Sequence, residues 1–449
     1  MHTDSLGNPV SVSDAASVRA LDEFVMGFIS CEARAVNVLS AGQDTSSIVQ
    51  AYCAALHMFA ESRDAVGNAR PFILRAQSGA ARATPRERRF IAAVAAWVAG
   101  DIALAIQLHE EQAREFPRDL ASLKLGQYHC FNTGDCPGML RIALATLATS
   151  ADVPYVHGMA AFGYEQCHLM RDAESSARRA ITMCRKEPWA HHALAHVMLT
   201  EGRLTEGLAF MQDVSETWTG LNSFMVTHNW WHVALFLIDL GRDAEALAVY
   251  DKQVWGVVKG YSQDQIGAVS LLARFELAGI DVGDRWQDLA DHLAQRTGDH
   301  VLPFLDLQYL YGLARAGRPE ADVLLRNIDA FAPRAPVSTR AAWERVCMPA
   351  AHGLRAHGRG DIPGALEGLG LALPRLIEIG GSHAQRDLFE QVYLDALVRC
   401  GTEVSLTGAQ GLLQQQVNRQ PESRRLRRQA DAVLRALGLP VAQHARAPH

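Results

Sequence analysis

Residues 228–251, HNWWHVALFLIDLGRDAEALAVYD, decide the fold. An apolar run with no period-2 alternation ends at Gly241, a polar turn follows, and five residues later a small side chain, Ala246, opens a second run that reaches Tyr250. That is one helix, a turn and a second helix. Glycine in the left-handed conformation ends the first helix, and the small residue lets the second pack closely on it. The same grammar recurs at Gly100, Gly134 and Gly202, with spacings of 34, 68 and 39 residues up to Gly241. His168 stands at the skipped 34-residue step. Five residues beyond each turn come Ala105, Met139, Ala173, Gly207 and Ala246, mostly small.

A helix–turn–helix unit at this period is the tetratricopeptide pattern. The expected fold is therefore all-α: a tetratricopeptide-like helical repeat solenoid, an α-α superhelix of about ten helix pairs over residues 17–439, clearest over 84–255. Pro117 and Pro188 mark unit starts. Thr84-Pro85-Arg86-Glu87 reads as a capping box, as do Ser262 with Gln265 and Ser382 with Gln385. Gly360 and Gly401 look like degenerate copies of the turn. The polar residues 1–16 and the Pro/His/Arg-rich 440–449 are expected to be poorly ordered. The run Arg424-Arg425-Leu426-Arg427-Arg428 reads as the solvated face of a capping helix, or else as a site for an acidic partner.

Composition narrows the function. A chain of 449 residues exceeds one ordinary core, but a repeat array grows lengthwise. With 49% apolar residues and a net charge of −6 there is a core to bury and no broad basic field, which argues against nucleic acid as a partner. No run of 18 uncharged apolar residues occurs, so no membrane span is expected, and MHTDSLGNPV lacks the features of a signal peptide. The expected compartment is cytoplasmic. The eight cysteines are scattered without a C-x-x-C and read as reduced thiols.

Further segments carry a family resemblance: PWAHHALAHVMLTEGRLTEGLAFMQ (188–212), HNWWHVALFLIDLGRDAEALAVYD (228–251), VGDRWQDLADHL (282–293) with GDH (298–300), and GGSHAQRDLF (380–389). Over about residues 20–435 the chain resembles the tetratricopeptide repeat protein 38 family, most specifically in His228-Asn229-x-Trp231-His232 and in GGSxAQRD. The resemblance implies a cytosolic all-helical repeat protein and leaves its biochemical activity open. His191, which extends the first histidine pair, departs from the pattern.

The chemistry-bearing feature is a doubled His-x-x-x-His. His192/His196 and His228/His232 lie one repeat apart, and residues four apart share a helix face. In this register the histidines, with Asn229 and Trp231, fall at or near first-helix positions that line a concave groove. Glu165 and His300 are further candidates. Arg386, just inside a helix start, is a candidate anion ligand if the array curls back on itself.

Two functions follow. The first is a binding module that takes a protein or peptide segment in a His/Trp-lined concave groove. The alternative is a metal-dependent or acid–base enzyme, or a small-ligand binder, with His192, His196, His228 and His232 as ligands to zinc, iron or copper. Against a metallohydrolase stands the lack of an H-E-x-x-H carboxylate. A hydrogen-bonded histidine–asparagine–tryptophan seam that merely sets helix packing is the plain reading. The chain is expected to act as a monomer or homodimer.

Overall fold

The computed structural model describes residues 2–12 and 14–439. It is an all-α solenoid of consecutive helix hairpins, from Ala15–Ile29 to Glu403–Arg419, ending in one further helix, Arg424–Ala436. Strands among the described residues are confined to His2–Thr3 and Pro9–Val10. Within the segment expected to be poorly ordered, these two pair antiparallel and bury Leu6 and Val10. Asp4 closes that turn by accepting from Leu6 and Asn8 amides. The expected tail at 440–449 lies outside the described residues.

The repeat turns form for the reason the glycines suggest. Gly202 has φ +72°, and its amide and that of Arg203 return to the last turn of the helix they close. His168, at the step without a glycine, adopts φ +59° all the same. The repeat geometry there overrides a side-chain preference that costs of order 1–3 kcal/mol. Further left-handed glycines at 279, 317, 360 and 401 carry the register to the C-terminus. The small residues pack as expected: a Cβ on Gly207 would meet the Phe236 ring at 2.3 Å. The boxes at Thr84–Glu87 and Ser382–Gln385 are both present. Ser262 is different: it is the first helical residue, and its hydroxyl donates to Glu61 Oε2 instead of capping its own helix.

That contact belongs to a wider closure. Glu61 also accepts from Tyr128 and Gln263, and Arg63 reaches the Gln295 carbonyl and Asp299, so the turn between the helices Ser47–Met58 and Ala65–Gly79 touches residues between 262 and 299. On the other side the chain folds back. The helix His383–Cys400 runs against Ser262–Leu277, with Arg274 donating to the Ala384 carbonyl at 2.7 Å. Gln420 donates to the Leu199 carbonyl, and Ser423 and Arg425 both bond Asp239. The basic run at 424–428 is therefore a docking face as well as a solvated one. Its Arg425–Asp239 pair is largely buried. The thiols, among the described residues, form no disulfide.

At the two histidine repeats the face expected to form an open concave groove is met by the C-terminal helices: His383 reaches Glu165, Gln420 the Leu199 carbonyl and Arg425 Asp239.

Gly202 reports on this docking. A Cβ there would sit 2.5 Å from the Arg419 carbonyl, whereas one on Gly317, also left-handed at φ +68°, would meet nothing within 4 Å. We expect Gly317→Ala to cost about 1 kcal/mol from strain alone and Gly202→Ala about 2 kcal/mol more. Urea unfolding of the two variants compares them. Equal losses would mean that the C-terminal hairpin does not press on this turn.

Candidate metal centre

The first histidine helix, Pro188–Thr200, starts with proline at its first position and Glu187 as its cap. The second, Ser223–Asp239, is capped by Asn222. They are equivalent elements of successive repeats and pack side by side, so a four-residue spacing on each aims both histidines of one at both of the other. Ring centroids are 4.9 Å apart for His192–His228, 4.5 Å for His196–His232 and 5.0 Å for His192–His232.

The nitrogens converge more closely than the rings. His192 Nε2 lies 3.1 Å from His196 Nε2 and 3.0 Å from His228 Nε2. One ligand nitrogen from each of the four histidines falls within 4.8 Å of every other. A neutral ring nitrogen is either a donor or an acceptor, so His192 Nε2 has one hydrogen bond to give to two neighbours. Neither nitrogen of His232 has a hydrogen-bond partner among the described residues, and both are buried. The same holds for Nδ1 of His192. Orphans of this kind cost about 1–3 kcal/mol each.

Aromatic rings seal the cluster. Trp189 stacks on His192 at 4.8 Å and Phe162 of the preceding repeat abuts both His192 and His196. Trp231 stacks on His228 at 5.3 Å with the planes 10° apart, and the Arg274 guanidinium lies over the Trp231 ring, 5.3 Å from its centre. Burial drives every one of the four imidazoles towards its neutral form, His228 to a pKa of about 3. The mutual proximity of the rings adds to this for His192 and His232. Neutral imidazole is the metal-binding form.

Behind His196 stands Glu165, fully buried, with Oε1 at 3.5 Å from His196 Nδ1. The same oxygen accepts from His383 Nε2, and Oε2 accepts from Gln166 at 2.6 Å. Burial alone would raise the Glu165 pKa, but His196 and His383 outweigh it and hold the carboxylate ionised. Burial likewise opposes charge on His383, and Glu165 overcomes it, raising the His383 pKa. Glu165, His196 and His383 form a second group with ligand atoms in mutual reach. Two spaces adjoin the site. A crevice of about 10 Å³ is bordered by His228, Trp231, Ser270 and Gln385, enough for one water molecule. A cavity of about 250 Å³ has His383 in its wall.

The sequence candidates divide accordingly. His192, His196, His228, His232 and Glu165 come together. Trp231, expected to line a groove, is 1% exposed and serves as a platform under His228. Asn229 turns away from the cluster, its amide reaching the Pro188 carbonyl at 3.4 Å, so it ties the two helices. His300 belongs elsewhere: Nδ1 bonds Asp306 at 2.6 Å and its ring stacks on Phe331. Arg386 is brought near by the fold-back, but its guanidinium donates to the carbonyls of Gly380 and Gly381, a local cap on the turn that precedes it. His191 accepts from Trp218 Nε1 at 3.2 Å on the opposite helix face. Two participants escaped sequence reasoning, His383 and Arg274. His383 lies inside the GGSHAQRD segment singled out there, directly after the Ser382 cap; nothing in the sequence marks Arg274.

No family model matches the chain. Among solved structures, the human IFIT1 dimer with PPP-AAAA shares 12% identity, with 95% of this chain and 96% of that one covered, at a TM-score of 0.42. The structure of Naa15/Naa10 bound to HypK-THB shares 12% identity, with 95% and 69% covered, at a TM-score of 0.26. Overlays this loose carry no inference about the site. Among the described residues no helix is long and apolar enough to cross a membrane.

Glu165, fully buried, joins the cluster to the helix His383–Cys400 through the partly exposed His383, and removing a charged hydrogen-bond partner of this kind costs about 1–3 kcal/mol. Glu165→Gln should therefore destabilise the protein by an amount of this order and speed amide exchange in His383–Cys400. Denaturant titration with hydrogen–deuterium exchange tests both. An unchanged exchange pattern over 383–400 would show that this pair does not hold the cover.

Proposed function

We propose that this protein is a metal-dependent helical-repeat protein acting on a small molecule, with His192, His196, His228 and His232 holding one divalent transition ion. The observation that carries the reading is the approach of His196 and His228 Nε2 to His192 Nε2, at 3.1 and 3.0 Å, within a group of four imidazoles whose ligand nitrogens all lie within 4.8 Å of one another. Tetrahedral ligands about 2.0–2.1 Å from zinc lie ~3.3 Å from one another, close to the two shortest of these separations. The donor set is neutral nitrogen without thiolate, which suits zinc, copper or iron. Glu165 behind His196 fits the carboxylate–histidine–metal arrangement that fixes a ligand ring and offsets the ion's charge.

Chemistry on a small molecule needs an open ligand position. His232, with no hydrogen bond to orient it, is the histidine best placed to leave one. A divalent ion there would supply Lewis acidity and a bound water of lowered pKa. Trp231, Phe162 and Trp189 would keep bulk water out.

A second reading, acid–base chemistry without a metal, is favoured by one observation: His383 and ionised Glu165 pair at the cavity wall. The peptide-binding reading shares the helical-repeat scaffold but requires the covering helix to swing away from buried histidines. The tetratricopeptide repeat protein 38 family remains our proposed placement of the chain, and a monomer or homodimer in the cytoplasm our proposed setting.

Elemental analysis of purified protein should find about one equivalent of zinc, iron or copper. Cobalt substitution should give the visible absorption of a nitrogen-ligated tetrahedral ion. His192→Ala and His228→Ala should each weaken metal binding by at least about tenfold, while His300→Ala and His191→Ala leave it unchanged. Metal-free protein that also fails to take up cobalt would overturn the reading in favour of the acid–base alternative.

A further inference from the structure

The larger cavity has a chemistry of its own. Its walls come from the ends of both histidine helices, from Ser262–Leu277 and from the three C-terminal helices, so it is held by rigid elements. At about 250 Å³ it is far roomier than the ~10–15 Å³ that one water needs. One part of the wall is aliphatic, from Leu199, Leu235 and Ile238. The rest is polar and charged, with three arginines, Arg274, Arg419 and Arg425, facing three carboxyl groups, Asp239, Asp387 and Glu390. Arg425 is neutralised by Asp239 at 2.8 Å. Arg274 spends its donors on Ser270 and on the Ala384 carbonyl, and its nearest carboxylate, Asp387, is 3.7 Å away. Arg419 has no hydrogen-bond or ion-pair partner among the described residues. The opposing carboxyl, Glu390, is pushed up to about 7 by burial and by Asp387, which blunts its negative charge near neutrality. Two buried polar atoms on lining residues, Thr200 Oγ1 and Gln391 Oε1, lack partners.

We propose that this cavity is the substrate chamber of the histidine site and receives a small carboxylate with an aliphatic body. The carboxylate lies against Arg419 and Arg274, and the aliphatic body against Leu199, Leu235 and Ile238. A guanidinium without an acceptor, facing a preformed space, is the strongest recognition element for a carboxylate that side chains offer. The aliphatic wall gives the rest of the molecule a surface to leave water for. His383 stands between this chamber and the cluster, so a molecule bound here is separated from His196 only by the His383–Glu165 pair. The assignment of substrate class rests on the reading of the histidines as a functional centre; the occupancy of the cavity by a carboxylate does not.

The test uses the full-length protein and defined probes: hexanoate and adipate, each against its uncharged amide, hexanamide or adipamide, followed by calorimetry and thermal shift. At least one carboxylate should bind about tenfold or more tighter than its amide. Arg419→Gln should abolish that preference while metal content stays as in the parent. Arg419 is exposed, so this variant keeps the fold, which near-UV circular dichroism checks. Equal binding of acid and amide, or a preference that survives Arg419→Gln, would overturn the proposal. Carboxylate binding in a protein that takes up no metal would keep the chamber and remove the metal centre.

Discussion

The contact on which the arrangement turns is the pair between Glu165 and His383. The two residues are 218 positions apart in the chain. Glu165 belongs to an ordinary repeat; His383 opens the helix that folds back across the inner face. Once they meet, the carboxylate is held in its ionised form, the pKa of His383 is raised, and His196 has an anion behind its outer nitrogen. The contact ties the C-terminal part of the chain to the histidine repeats, and together with Phe162, Trp189 and Trp231 it closes off the four imidazoles.

The closure also explains why the histidines are tolerable. Four imidazoles in an open groove would be solvated and indifferent to one another. Four in a sealed aromatic cage carry several unpaired nitrogens, and the repeat packing, through residues such as Gly207 and Ala246, gives their helices little freedom to separate. Stability here comes from the long apolar core of the repeats. The polar cluster draws on that stability, as functional sites commonly do.

The solenoid itself was legible, because its causes are local. Gly202 and Gly241 end helices by backbone geometry, Ala246 and Gly207 allow close packing, and the Thr84–Glu87 box starts a helix from four neighbouring residues. Where a longer-range partner intervened, the local reading failed: Ser262 looked like a cap and instead bonds Glu61 from across the ring. Asn229, Trp231 and Arg386 failed in the same way. Each was placed on the right face or near the right neighbours, and each was then taken up by a nearer carbonyl or ring.

By itself the sequence determined that this protein is a ladder of helix pairs and that two consecutive first helices each present histidines four residues apart. Helical periodicity suffices for both, since it relates residues within one or two turns. Only the tertiary structure decided that the ladder bends back on itself, that His383 rather than His300 approaches the histidine cluster, and that the four imidazoles are buried against one another. Those outcomes depend on contacts between repeats, from the 36 positions that separate His192 and His228 to the 218 that separate Glu165 and His383, and no period within a single repeat encodes them.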